Sequence, residues 1–266
     1  MSRLLASVAV ASATLALASA AQAQVDTRDY RRVDRHLPES PQRFAFELRL
    51  GPYVPRIDEE FKGKTPYADT FGTGKGFHIG AELDWQAFRI PHLGTLGPGL
   101  SWGYTSRSAN AKISSTGLES AEETTLTIMP MSAVGVLRID VLTRDIGIPL
   151  VPYGKAGLGL GLWSASNDTG VSQRDGVTGR GRSWGTHLAL GGMLHLDFLE
   201  PDTALGFDEE LGVNNSYFFF EWMWSDLGNL KLIESKPQMH VGTSGWVAGL
   251  ALEFLARLAF APCGCG

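Results

Sequence analysis

The amino-acid sequence predicts an all-β chain: an antiparallel, up-and-down transmembrane β-barrel of eight strands. Three observations carry this. Apolar residues recur at every second position from about Arg43 onward, as in strands with two unlike faces. The alternate positions hold mostly Gly, Ala, Ser and Thr with a few charges, not the dense Lys and Glu of a wetted surface. Aromatic residues gather towards the strand ends, as at the two water–lipid boundaries of a bilayer.

The chain opens on Arg3, an apolar run from Leu4 to Ala18, and Ala21-Gln22-Ala23. That is the layout of a secretory signal peptide over 1–23 with cleavage after Ala23. The run is about 15 residues, short of the roughly 20 that span a bilayer as a helix. Residues 24–42 are expected as a periplasmic N-terminal segment, 43–256 as the barrel and 257–266 as a C-terminal tail. The whole chain has 23 basic and 28 acidic residues; without 1–23 it loses Arg3, giving 22 against 28 and a net charge of −6. This balance argues against a nucleic-acid partner. The two cysteines, Cys263 and Cys265, both lie in the tail and cannot staple the fold. Two thiols alone also fall short of a structural zinc site.

The period-two pattern places strands at about 43–53, 75–88, 98–107, 122–142, 149–163, 183–199, 213–225 and 243–256. Residues 184–198 show it most clearly. Even positions run Trp184, Leu188, Leu190, Leu194, Leu196 and Phe198; odd positions run Gly185, His187, Ala189, Gly191, His195 and Asp197. Over 122–142 the parity shifts near Pro130, which predicts a bulge there. The last strand ends at Phe254 or, if Ala256, Leu258 and Phe260 continue it, at Phe260. Long Gly-, Ser-, Thr- and Asp-rich segments at 54–74, 108–121, 164–182 and 226–242 alternate with shorter links at 89–97 and 143–148, as outer loops alternate with periplasmic turns. The link at 200–212 is expected to hold a short helix. A missed hairpin in 54–74 or 164–182 would raise the count to ten.

On this reading the lumen carries a polar network of Glu47, Arg49, His78, Glu82, Asp84, Lys155, His187, His195, Asp197, Glu221 and Glu253. The aromatic girdle comprises Trp85, Trp102, Trp184, Trp222, Trp224, Trp246, Phe198 and Phe254; the parity of Trp163 points it inward. Gly157, Gly159 and Gly161 leave room for bulky lumen neighbours. Gly72-Thr73-Gly74-Lys75-Gly76 fails as a phosphate loop, because its spacing is wrong and a strand follows it. His195 with Asp197 could orient a Ser or Thr nucleophile, but a buried His–Asp pair is more simply a hydrogen-bond network. His78, Glu82 and Asp84 lie roughly 7 and 13 Å apart along one strand, too far to share a metal. No catalytic residue, metal or cofactor is therefore expected.

The run Arg43-Phe44-Ala45-Phe46-Glu47-Leu48-Arg49-Leu50-Gly51-Pro52-Tyr53 resembles the opening strand of a myxobacterial-type outer-membrane β-barrel family. Gly80-Ala81-Glu82-Leu83-Asp84-Trp85, Pro149 to Gly159, and Phe207 to Glu221 with its Gly212-Val213-Asn214 step are similar to it as well. The resemblance implies a small OmpA-like barrel in the cell outer membrane without an assigned activity. Gly249-Leu250-Ala251-Leu252-Glu253-Phe254 resembles the C-terminal signal read by the outer-membrane assembly machinery. The partners expected are that machinery, outer-membrane lipid and lipopolysaccharide. The first functional expectation is a structural or surface-interaction barrel working through its loops; a narrow solute channel, a lipid-modifying enzyme and a soluble lipocalin-like carrier are the alternatives.

Overall fold

The computed structural model describes residues 43–112, 119–167, 170–174, 177–196, 213–228, 230 and 239–254. The signal peptide and N-terminal segment expected over 1–42, the helix expected in 200–212, Asp197, Phe198, and everything after Phe254, including both cysteines, lie outside them. By internal contacts the chain divides into Met1–Pro38 and Glu39–Gly266; every described residue belongs to the second.

Eight strands form the wall: β1 (Phe44–Tyr53), β2 (Gly76–Trp85), β3 (Gly94–Lys112), β4 (Glu119–Arg138), β5 (Leu150–Asn167), β6 (Arg180–His195), β7 (Val213–Leu227) and β8 (Thr243–Phe254). Each pairs antiparallel with the next, and β8 pairs with β1 from Phe44–Phe254 to Leu50–Ala248, which closes the barrel. Eight strands up and down put the start of β1 and the end of β8 at one end, with the links 86–93 and 139–149. We call this the turn end. The opposite, loop end carries 54–75 and 228–242. Two additions decorate the wall. Phe88–Ile90 pairs with the start of β3, and Gly170–Val171 with the top of β5. No described helix is long and apolar enough to cross a membrane.

The two faces are sorted as the alternation requires. Glu47, Arg49, Glu82, Asp84, Lys155, Glu221 and Phe219 are buried inside. Large apolar residues stand outside: Phe77 is 64% exposed, Leu100 67%, Leu190 62% and Phe220 52%. In water such a continuous apolar band would cost about 25 cal/mol for every Å² left wetted, and soluble proteins do not carry one of this extent. With hydrocarbon outside, the same residues are at home.

Two expectations need correction. The parity does not shift at Pro130, and there is no bulge. β4 holds one register across Pro130 against both neighbours, with Trp102 opposite Met131 and Thr105 opposite Ile128 on one side, and Pro130 opposite Gly161 on the other. Pro130, which has no N–H to donate, costs the β3–β4 ladder only the pairings at Gly103 and Tyr104. The apparent shift arises because Leu126 and Ile128 are apolar yet face inward, buried at the loop end. Second, β3, β4, β5 and β6 run several residues further towards the loop end than expected, so much of 108–121 and 164–182 is strand. This puts Trp102 ninth in the 19 residues of β3, in mid-strand and not at its end.

The loop 54–75 has its own internal order. Pro66 starts helix α1 (Pro66–Phe71), a position where its missing N–H costs nothing. The Asp58 carboxylate accepts from the backbone N–H of Tyr67 at 2.7 Å and of Ala68 at 3.0 Å. These are donors that the first helical turn leaves orphaned. Gly72, at φ +73°, ends the helix in a conformation that favours glycine.

Candidate functional site: a lumen closed at two levels

The lower level is ionic. β1 contributes Glu47 and Arg49, both inward because they differ by two. β2 contributes Glu82 and Asp84 for the same reason, and Arg49–Gly80 and Glu47–Glu82 sit in register across the two strands. The Arg49 guanidinium donates to Glu47 and Glu82, each at 2.7 Å, and to Glu221. Lys155 reaches Glu47 and Glu82 at 2.7 Å and Glu221 at 3.7 Å. Arg138 bonds Asp84 at 2.5 Å, Glu47 at 3.1 Å and Glu253 at 3.2 Å. Tyr153 donates to Glu221 at 2.8 Å and Tyr217 to Glu253 at 3.1 Å. The Arg49 guanidinium carbon lies over the Phe219 ring, 5.6 Å from its centroid. The network thus joins carboxylates and cations from β1, β2, β4, β5, β7 and β8 across the full bore. Glu47, Glu82 and Asp84 bring oxygens within 4.8 Å of one another, close enough for a cation, but Arg49, Lys155 and Arg138 already occupy that space.

The upper level is apolar. Tyr53, Ile57, Tyr67, Leu126, Ile128, Leu227 and Val241 are buried together in the loop-end mouth, with Phe71, Trp163 and Met239 packed against them. Gly159 and Gly161 make this possible, since a Cβ at either would lie 2.5 Å from Leu227 or 2.6 Å from Val241. Gly157 has a different cause: its Cβ would strike the Ala133 carbonyl of the neighbouring strand. The Tyr53 hydroxyl donates to the Val241 carbonyl at 2.6 Å, and Ser183 to Met239 at 2.6 Å. Glu60 accepts from the His240 N–H, and His240 Nε2 lies 2.5 Å from Asp226. The Glu60–His240 bond, with one from the Arg56 N–H to the Gly242 carbonyl at 2.9 Å, ties loop 54–75 to the segment 239–242, which Tyr53 and Ser183 anchor to the wall. On its exposed side, Arg56 pairs with Glu59 at 2.7 Å, and that hydrogen bond holds the Glu59 carboxyl below the usual carboxylate range.

Between the levels a chamber of about 20 Å³ is lined by Arg49, Tyr53, His78, Ser101, Ser132 and His187 among others. This is room for a single water molecule. His78 stacks on Tyr53 at 5.8 Å; neither its Nδ1 nor Nε2 of His187 has a hydrogen-bond partner among the described residues.

The structure therefore gathers Glu47, Arg49, Glu82, Asp84, Lys155, Glu221 and Glu253 into one network, and sets His78 and His187 above it. His195 stands apart at the turn end, stacked on Tyr217 at 5.0 Å and bonded to Asn215 at 3.0 Å. Arg138, Tyr153, Tyr217 and Asn215 are members that sequence reasoning missed. Arg138 was legible: it is even-numbered, like Leu126, Ile128, Val134 and Val136, and reads inward once the parity is held through Pro130. Of the aromatic residues, Trp85, Trp222, Trp224 and Trp246 face outward at 41–49% exposure near strand ends. Trp184 is half-buried in the upper part of β6, Phe254 is the last residue of β8, and Trp163 packs inward against the plug.

An apolar, aromatic-banded exterior around a closed and ion-paired interior defines a small transmembrane β-barrel. No family model and no curated protein sequence matches the chain. Among solved structures it is similar to Ail, the attachment invasion locus protein of Yersinia pestis, in complex with the heparin analogue sucrose octasulfate, at 12% identity over 80% of this chain and 97% of that one, with a TM-score of 0.41. It is also similar to the N-terminal β-barrel domain of Pseudomonas aeruginosa OprF, at 10% identity over 80% and 99%, with a TM-score of 0.37.

Proposed function

We propose that the chain is an outer-membrane barrel that conducts no solute, catalyses no reaction, and acts through the surface at its loop end. The observation that carries this is the double closure of the lumen. A solute would have to break the Arg49–Arg138–Lys155 network and then displace an apolar plug continuous with loop 54–75. The plug also gives loop 54–75 a fixed floor, which suits that loop to contact with other molecules. With both barrel termini at the turn end, the loops face outward after secretion. The lipid-facing band supports outer-membrane lipid and lipopolysaccharide as the surroundings, and the Gly249–Phe254 pattern supports recognition by the assembly machinery. The finer kinship with myxobacterial-type barrels rests on the strand motifs of β1, β2 and β5.

The test combines three measurements on the full chain: recovery in outer-membrane fractions, a gel-mobility shift between boiled and unboiled samples, and conductance in planar bilayers. The expected result is outer-membrane recovery, a shift and no steady current. A steady current would make the protein a channel. Recovery in the periplasm without a shift would make it a soluble carrier.

A further inference from the structure

The lipid-facing surface is uneven. At the junction of β8, β1 and β2 the outward residues at the centre are Ala248, Leu50 and Pro52, all half-buried. Around them stand Phe77 on one side and Trp246, Phe218 and Leu250 on the other. The result is an open, almost wholly apolar groove of about 630 Å³. Its cause lies in the backbone: the β8–β1 ladder ends at Leu50–Ala248, short of Pro52, which has no N–H to give. One wall is braced, because the Trp246 ring stacks on Phe220 at 6.2 Å with 19° between planes.

The groove has a direction and a charged end. It runs from the loop end, where exposed Lys75 joins its lining, down past Trp246 to Leu250 and Phe218, which face each other across β7 and β8. From Trp246 to Leu250 is four residues, roughly 13 Å of strand. One leaflet contributes half of a hydrocarbon core of about 30 Å. The groove therefore spans about one leaflet, and it is the leaflet at the loop end.

We propose that this groove binds one acyl chain of a phosphorylated glycolipid of the outer leaflet, with the Lys75 ammonium on its phosphate. The inference rests on the outer-membrane reading above and deepens it. Only molecules within the bilayer reach the groove. Its concave floor admits a single chain but not the convex flank of another barrel. Lys75 supplies the complement to an anionic headgroup at the level where that headgroup lies. A two-fold pairing of copies through the same patch would instead bring two Lys75 side chains together.

The experiment is native mass spectrometry of the full chain released from nanodiscs. The nanodiscs contain bisphosphorylated lipid A, its dephosphorylated form, or phosphatidylethanolamine alone. The expected result is retention of one bisphosphorylated lipid per barrel, with clearly weaker retention of the other two. Lys75→Gln should lower retention about five-fold, the effect of one surface cation, and Ala248→Phe, which fills the floor, should abolish it. Equal retention by all three proteins would show a nonspecific lipid annulus and overturn the proposal. So would a dimer that Ala248→Phe dissociates. If Ala248→Phe shows no heat-modifiable shift, Lys75→Gln, a loop change, decides alone. Should the unaltered chain itself fail to shift, the outer-membrane reading fails; a shift without lipid retention refutes only the groove.

Discussion

Replacing Arg49 with Met removes the cation that three buried carboxylates share. Glu47 and Glu82 each lose a bond of 2.7 Å, and Glu221 loses its short contact. Lys155 remains within reach of all three but cannot satisfy them alone. The network holds five carboxylates (Glu47, Glu82, Asp84, Glu221 and Glu253) against three cations (Arg49, Arg138 and Lys155). Its formal balance thus falls from −2 to −3. Stripping one partner from a buried ion pair costs about 3–5 kcal/mol, chiefly because the charge left behind is uncompensated. The expected loss for Arg49→Met is therefore about 3–5 kcal/mol, read from guanidinium unfolding in lipid vesicles with the folded fraction scored by gel mobility. Arg49→Lys should fall between, since one ammonium cannot reproduce the guanidinium fork. The decisive variant is Arg49→Met with Glu82→Gln and Glu221→Gln, which removes charge from both sides. It should recover most of the loss, because two of the carboxylates that Arg49 leaves behind lose their charge with it, and the formal balance moves from −3 to −1. If the triple variant stays as unstable as the single one, the defect is lost packing over Phe219 and the electrostatic reasoning is wrong. A single-variant loss below about 1 kcal/mol would refute it too.

Three further outcomes follow from the loop end. Gly161→Val drives a side chain into Val241 and Leu227, at the ordinary cost of overpacking, about 1–3 kcal/mol; the chain near Met239 should become protease-sensitive while the heat-modifiable shift persists. Asp58→Ala leaves the amides of Tyr67 and Ala68 without their acceptor, a loss of about 0.5–2 kcal/mol, and hydrogen exchange of those two amides should accelerate without change in the barrel amides. The Glu59 carboxyl is held low by its bond from Arg56, so its contribution to loop order is present above the unfolded value, about 4.3, and is lost as pH falls through the folded one; for so exposed a pair it is at most about 1 kcal/mol. An NMR titration should show Glu59 titrating below an ordinary glutamate, and Arg56→Gln should return it to the ordinary range.

The strand count, the closure and the two-faced sorting were legible because a barrel of this kind writes its fold in a period of two. Glu47 and Arg49, or Glu82 and Asp84, can be placed inside from spacing alone. What was not legible was which inward residues meet across the bore. The contact of Arg138 with Glu47 and Glu253 depends on register and shear summed around the wall, and no local pattern encodes that sum. The plug was hidden for a related reason. Leu126, Ile128 and Leu227 are apolar and inward, so they look like errors of parity until the barrel is closed and their neighbours Tyr53 and Val241 appear. Gly159 and Gly161 signalled that something bulky faced them without saying what.

The polar core also follows from the exterior. In a soluble domain, apolar burial supplies the driving force and specifies which strands meet. Here the apolar side chains are spent on the lipid, and hydrocarbon outside is no poorer a solvent for them than a core would be. Within the bilayer the interior must then be polar or very small, and every polar group there has to find a partner. A ring of charges satisfies this only in one arrangement: slipping β1 by a single residue would turn Glu47 and Arg49 out into lipid, taking the guanidinium from Glu82 and Glu221 and the shared carboxylate from Lys155 and Arg138. The ion pairs thus serve as the register lock of the barrel, which is why they draw on six of its eight strands. The apolar plug above them can afford no such role. It forms where the bore reaches the loop end and water is excluded by the loop itself, so the same Tyr53 and Val241 that seal the lumen also hold the outer surface in place.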